Sequence, residues 1–344
     1  MRALIDLQKK LFPDLLDIMQ RRYNILHKIH LLEPIGRRSL SDNTDMAERL
    51  IRSEIDFLGN QGFIHVTSKG MHLTPEGNKV LEQLADFMKE SAGLGTLERR
   101  VKEKLQLDHV IVLPGNSDDH DWVKQEMGKA CVSYLRSILQ SNQTVAVTGG
   151  TSMTAVAEMM TPLENAQNCM FVPARGGLGE RVENQANSIC AEMAKKANGK
   201  YRLLYVPDPI GEESYQSIIA EPSIIEILEL IKASDVVIHG IGDAWTMAKR
   251  RKASQEVLDT ITSRKAVSEA FGYYFNEDGD VVYKVRTVGL QLEDLAHTNC
   301  VIAIAGGESK ATAIQSYFKQ GKSNVLITDE AAAHRLLGDS SLLI

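Results

Sequence analysis

The sequence predicts an α/β chain in two unequal parts. A small N-terminal part is built of helices and one hairpin, and a larger C-terminal part carries a doubly wound parallel sheet. Three observations predict this. Apolar residues recur at helical spacing from Ile18 to Phe57, then at a period of two from Ile64 to Leu73. From Val110 to Ile327, short continuous apolar runs alternate with helical stretches. Between them, Glu90-Ser91-Ala92-Gly93-Leu94-Gly95 holds two glycines that a continuous helix would avoid. The expected parts are therefore residues 1–92 and 93–344.

Composition bounds the possibilities. A length of 344 residues suits two or three domains, and 43% apolar with 24% charged residues is ordinary for globular protein. Four cysteines (Cys131, Cys169, Cys190, Cys300) without a CxxC pair suit free thiols in a reducing cytoplasm and point to no metal site. No apolar run approaches the ~20 residues of a membrane helix, so no membrane partner is expected. Asp6, Lys9, Lys10, Asp14 and Asp17 argue against a signal peptide. The net charge of −6 divides into +1 over residues 1–89 and −7 over the rest. Coating nucleic acid with bulk positive charge is excluded; a small DNA-reading part is not.

In the first part, Ile18, Ile25, Leu26, Ile29 and Leu32 mark a helix stopped by Pro34-Ile35-Gly36. Leu4, Ile5, Leu7, Leu11, Phe12, Leu15 and Leu16 predict an extra amphipathic helix before it, available to a partner. A short stretch, Arg37 to Asn43, leads to a new helix capped by Thr44 or Asp45, with Glu48 closing a capping box, and running to Gln61 before Gly62. On it, Met46, Ala47, Leu50, Ile51, Ile55, Phe57 and Leu58 share one half, while Glu48, Arg49, Arg52, Ser53 and Asp56 share the other. Glu54 falls in the apolar arc, where only an ion pair would account for it. Ile64 and Val66, then Met71 and Leu73, predict a hairpin turning at Lys69-Gly70, and Thr74-Pro75 opens a further helix.

This is the order of a winged helix-turn-helix, whose third helix enters the major groove while the hairpin meets the backbone. Arg49 and Arg52 would face bases or phosphates, with Thr44, Glu48 and Ser53 beside them; Arg37, Arg38 and Lys69 would suit phosphates. The bland alternative is an interaction module whose arginines are a solvated face.

In the second part the expected strands are 110–113, 145–147, 170–172, 203–206, 236–238, 301–304 and 325–327. Ligands of such sheets bind beyond the strands' carboxyl ends. There stand Gly149-Gly150-Thr151-Ser152, Arg175-Gly176-Gly177, Gly240-Ile241-Gly242 with Arg250 one turn on, and Gly306-Gly307 with Lys310. Glycine turns opening helices, with three cations in an acidic domain, point to a ligand with more than one phosphate. Glu269 and Gln185 suit sugar hydroxyls or plain solvent. The acidic run 277–280 reads as a hairpin turn, since its spacing does not fit an EF-hand.

Together the winged helix with Ser53-Glu54-Ile55-Asp56-Phe57-Leu58, the Gly149-Gly150-Thr151 turn, the segment from Glu269 to Gly279 and Ala305-Gly306-Gly307 resemble the SorC family of bacterial sugar-responsive transcription regulators. The resemblance covers nearly the whole chain and is closest to the branch governing glycolytic genes. It implies a repressor acting on operator DNA as a homo-oligomer, dimer or tetramer, with an effector domain similar to sugar-phosphate isomerases and deaminases. Its effector would be a phosphorylated sugar, fructose 1,6-bisphosphate above all, with no cofactor. By the same resemblance Gly149, Gly150, Thr151 and Ser152 would hold one phosphate near Lys310, Arg175 and Arg250 the other, and Gln185 and Glu269 the sugar. The alternative is a sugar-phosphate isomerase or deaminase. Against it, deaminases of this type carry Gly-Asp-Gly-His where this chain has Gly242-Asp243-Ala244-Trp245, and an indole cannot exchange protons.

Overall fold

The computed structural model describes residues 11–42, 44, 46–91, 93–164, 167–177, 181–207 and 210–339. The chain forms two compact units, divided between Thr96 and Leu97.

The first unit begins with α1 (Pro13–Leu32), whose proline occupies the first turn, where an amide would be unpaired anyway. Leu4, Ile5 and Leu7 lie outside the described residues. Leu11 is helical and Phe12 is not, so α1 starts anew at Pro13; Leu15 and Leu16 belong to it together with Ile25 and Ile29. Then come α2 (Arg37–Asp42), α3 (Glu48–Asn60), the hairpin β1 (Ile64–Thr67) and β2 (Gly70–Leu73), and α4 (Pro75–Ser91). Ile35 bridges Met71 as a third, one-residue strand of the wing. The Thr74 hydroxyl accepts the Gly77 amide at 3.0 Å, capping α4 as its Thr-Pro start predicts.

The start of α3 differs from expectation. Its N-cap is Ala47, with no side-chain cap. Thr44 is committed elsewhere, donating to the Leu40 carbonyl at 2.7 Å and closing the end of α2. The connection to α3 therefore runs through Met46 and Ala47, and no capping box involves Glu48; Asp45 lies outside the described residues.

Ile51, Ile55 and Leu58 of α3 pack with Ile25, Leu26 and Ile29 of α1, with Leu40, and with Ile64 and Met71 of the wing. Each such side chain, fully buried, contributes about 1.5–3 kcal/mol. Phe57 is on the rim instead, 37% exposed, under the Arg22 guanidinium at 3.5 Å. Glu54 is buried and accepts Arg21 Nε at 3.0 Å and Arg22 Nε at 2.8 Å. That double ion pair is why a carboxylate stands within an apolar arc.

After α5 (Leu94–Leu105), the second unit holds β3 (His109–Leu113), α6 (Asp121–Ile138), β4 (Thr144–Val147), α7 (Thr151–Met159), β5 (Met170–Pro173), α8 (Ala186–Ala197), β6 (Lys200–Tyr201), α9 (Glu212–Ile219) and α10 (Pro222–Lys232). It continues with β7 (Val236–Gly240), β8 (Gly242–Asp243), α11 (Ala244–Arg250), α12 (Gln255–Ser263), β9 (Ala266–Ala270), β10 (Tyr273–Asn276) and β11 (Val281–Lys284). It ends with β12 (Cys300–Ile304), α13 (Ala311–Phe318), β13 (Val325–Asp329) and α14 (Glu330–Leu337). Seven parallel strands run in the order β3-β13-β12-β7-β4-β5-β6. From β4 the chain winds outward to β5 and β6, then returns to β7 and winds the other way. The switch point lies between β4 and β7, where such sheets open a crevice for a ligand.

Two features depart from expectation. Residues 203–206 are not a strand. The ladder with β5 ends at Tyr201, and Leu204 is held by the Asn187 side chain, which accepts its amide at 3.1 Å and donates to its carbonyl at 3.0 Å. One side-chain amide there takes the place of a neighbouring strand. A second, antiparallel sheet, β11-β10-β9-β8, adds a wall the apolar runs do not announce. Its β10–β11 turn is the acidic run, closed by Asn276 Oδ1 accepting the amides of Asp278 and Asp280.

Candidate functional site

A pocket opens at the switch point. Its lining comes from Thr148 to Met153 after β4, Gly240 to Gly242 after β7, Met247, Arg250 and Arg251 at α11, Glu269 to Phe271 beside β9, Arg175 after β5, and Lys310 before α13. The structure thus brings Gly149, Gly150, Thr151, Ser152, Arg175, Arg250, Glu269 and Lys310 together. Gln185 lies outside this lining, as the N-cap of α8, close to Gly177.

The Gly149-Gly150 turn is glycine for steric reasons. A Cβ on Gly149 would stand 2.5 Å from the Asn184 carbonyl, and Gly150 has φ +118°, which side chains other than glycine's avoid. Gly150 is also the N-cap of α7 and offers no side-chain acceptor to the helix's opening amides. The positive end of the helix is thus set in the pocket lining, where an anion is stabilised.

The Gly306-Gly307 turn looks similar in sequence but is already filled. Asp329 Oδ2 accepts the Gly307 amide at 2.6 Å and the Ser117 amide at 2.8 Å. Asp118 accepts the Ser309 amide and hydroxyl, both at 2.9 Å. Carboxylates of the chain occupy the place an anion would take, so this turn contributes Lys310 and no backbone cradle.

The lining carries four cations (Arg175, Arg250, Arg251, Lys310) against one carboxylate, Glu269. Burial, and then the nearby Arg250 charge, hold the Lys310 ammonium below its ordinary pKa; Asp118 and Asp329 oppose this only in part. Glu269 is enclosed. Its Oε1 accepts Arg251 Nη2 at 2.7 Å and the Gly272 amide at 2.6 Å, with Arg175 Nη1 at 3.5 Å. Burial pushes the Glu269 carboxyl up, but Arg251 and Arg175 outweigh it and hold the pKa below the usual range. Sequence reasoning missed Arg251. Within Arg250-Arg251-Lys252 at a helix end it reads as surface, yet it is buried, and only the tertiary pairing with Glu269 marks it out.

In the first unit, Glu48, Arg49, Arg52 and Ser53 are exposed on α3, Arg37 and Arg38 on α2, and Lys69 at the hairpin turn. Arg49 and Arg52, three residues apart, are neighbours on one helix surface. Thr44 is half-buried and spent on the end of α2. Among the described residues no group of three or more His, Cys, Asp or Glu could hold a metal ion, and no helix is long and apolar enough to cross a membrane.

Comparison with known proteins agrees with this division. Residues 18–88 match the family described as "CggR N-terminal DNA binding domain", and residues 89–338 the family described as "Putative sugar-binding domain". The chain is 53% identical over 340 residues to the central glycolytic genes regulator of Priestia megaterium, covering 98% of this chain and 99% of that one. It is 52% identical over 339 residues to the regulator of that name in Bacillus subtilis, covering 98% and 100%. A solved SorC family transcriptional regulator from Enterococcus faecalis is 45% identical and superposes with a TM-score of 0.67, over 70% of this chain and 99% of that one. A winged DNA-binding unit joined to a sugar-binding α/β unit, matched along almost the whole length, places the chain in the SorC family of transcriptional regulators, among the central glycolytic genes regulators.

Proposed function

We propose that the chain is a cytoplasmic repressor of central glycolytic genes that loosens its hold on operator DNA when a phosphorylated sugar, fructose 1,6-bisphosphate, fills the pocket. The observation that carries this reading is the lining: four cations and one internally paired carboxylate around an uncapped helix start. Such a site favours a ligand with several negative charges. Residues 1–92 would act as the DNA-binding domain and residues 93–344 as the effector and oligomerisation domain.

The backbone from Gly149 to Ser152 would cradle one phosphate. Lys310 and Arg250 feel one another's charge and would share an end of the ligand. Arg175 would serve the other phosphate. Glu269 orients the arginines, and Gln185 stays a candidate contact to the sugar from the start of α8. On DNA, Arg49 and Arg52 would read the operator, with Arg37, Arg38 and Lys69 on phosphates. A net charge of +1 over residues 1–89 is small, so operator affinity would sum contacts from the subunits of a dimer or tetramer.

An isomerase or deaminase is the weaker reading. The pocket lining contains no histidine or cysteine, and its one carboxylate is held ionised between arginines. The full-length relatives are named as regulators. By linkage, the effector weakens DNA binding only as far as it prefers the low-affinity arrangement. Fluorescence anisotropy of labelled operator DNA tests this. Affinity should fall on adding saturating fructose 1,6-bisphosphate, and an unchanged affinity would refute the coupling.

A further inference from the structure

Lys310 closes a short 3-10 turn, Glu308–Lys310, between the Gly306-Gly307 bend and α13, and its own amide donates to the Gly307 carbonyl at 3.0 Å. The point from which its side chain enters the pocket is set by this turn. The turn is held in place from the loop that joins β3 to α6. Asp118 Oδ2 accepts the Ser309 amide and Oδ1 the Ser309 hydroxyl, both at 2.9 Å. Asn116 Oδ1 accepts the Asp118 amide at 3.1 Å and the Glu308 amide at 3.4 Å, joining loop and turn a second time. The carboxylate lies directly on the bend: a Cβ on Gly307, where φ is +99°, would overlap Asp118 Oδ1. Asp118 and Ser309 are both exposed, so this fork lies outside the core.

We infer that Asp118 is a positioning residue of the pocket: by holding the Ser309 amide and hydroxyl it fixes the turn that carries Lys310 toward a phosphate of the ligand. This rests on the reading of the pocket as a phosphorylated-sugar site. Two physical arguments support it. A lysine side chain already loses about 2 kcal/mol of rotamer entropy when its ammonium is fixed on an anion, and a backbone root held beforehand adds nothing to that cost. The second argument is the sign of the charge. A carboxylate beside an anion pocket repels the anion, and Asp118 is near enough for Lys310 to feel its field. An acid at this place is unfavourable for the ligand unless its bonds to the turn outweigh the repulsion. The two effects have opposite signs, which makes them separable.

The test uses the full chain, titrated calorimetrically with fructose 1,6-bisphosphate. D118A should weaken binding about three- to tenfold, whereas a bystander charge predicts tighter binding, because a repulsion has gone. D118N keeps an oxygen for Ser309 without the charge, so affinity should recover relative to D118A. S309A, which loses the hydroxyl bond but keeps the amide bond, should lose less than D118A. The deciding comparison is D118A/K310M with K310M. If Asp118 acts through Lys310, the two should agree within about twofold; a merely structural role predicts that the full loss of D118A is added again. Should D118A fail to fold, S309A against S309A/K310M carries the same comparison. Wild-type or tighter affinity in D118A, or additive losses in the double variant, would overturn the inference while leaving the pocket as read. A wild-type chain that binds no bisphosphate, or K310M binding as the wild type does, would overturn the reading of the pocket and this inference with it.

Discussion

Arg22 donates through Nε to the buried Glu54 at 2.8 Å. The same guanidinium covers Phe57 at 3.5 Å, so one side chain satisfies a carboxylate and shelters an aromatic ring on the next turn of α3. Arg21 makes the matching bond at 3.0 Å without the ring contact. Replacing Arg22 by Ala should therefore destabilise the N-terminal unit by about 1–3 kcal/mol, and more than Arg21→Ala does. Urea unfolding of both variants measures the difference; equal losses would show that the Phe57 contact contributes nothing.

On DNA, Arg52→Ala should cost about 1–3 kcal/mol of operator affinity and relax preference at one base position if it reads a base edge. Lys69→Ala should weaken all sequences alike and reduce the salt slope by about one. Binding isotherms across a salt series separate the two effects.

The left-handed backbone at Gly150 gives a third expectation. Gly150→Ala forces a Cβ onto φ +118°, costing about 1–3 kcal/mol of local strain and disturbing the amide cradle. The variant should still bind operator DNA but respond to fructose 1,6-bisphosphate only at much higher concentration. A normal response in the anisotropy titration would remove this turn from the effector site.

Lys310 sets a pH dependence. Its pKa is depressed in the free protein, and a bound phosphate would raise it. Binding is then strongest while the ammonium is protonated and weakens as pH rises through the depressed pKa. Above about pH 7 the phosphate, with a second pKa near 6, is already fully ionised and adds no opposing trend. Affinity should therefore fall on the alkaline side at a lower pH than an ordinary lysine would impose. Lys310→Met should bind weakly throughout with little slope, and calorimetry at several pH values reads both.

Asp329 is completely buried and accepts three amides, from Ser117, Gly307 and Ala332. Asp329→Ala leaves these donors without their acceptor and should cost at least about 3 kcal/mol of stability, visible as a lowered thermal midpoint. Asp329→Asn, which keeps one oxygen, should cost less.

Much of this was legible in the residues. The parallel strands other than β6, the winged unit and the Gly149-Gly150 turn declare themselves, because continuous apolar runs and glycine dipeptides are local signals. The pocket's cations were half legible: Arg175, Arg250 and Lys310 follow strand ends, but Arg251 counts only through Glu269, eighteen residues away. Asn187 standing in for a strand at Leu204, and Thr44 bonding backward to Leu40, are side-chain choices that periodicity does not carry. Glu54 was visible as an anomaly, and its partners lie more than thirty residues earlier.

The two glycine turns make one last point. At Gly306-Gly307 the chain has swallowed its own carboxylates, while at Gly149-Gly150 it has not. The pocket is therefore lined unequally: backbone amides at one end, arginine side chains at the other. A bisphosphate with chemically distinct ends would be seated in one direction. The backbone end would register that an anion has arrived, and the arginine end would sense how far away its second charge lies. A ruler of that kind would separate a bisphosphate from a monophosphate by the spacing of its charges alone.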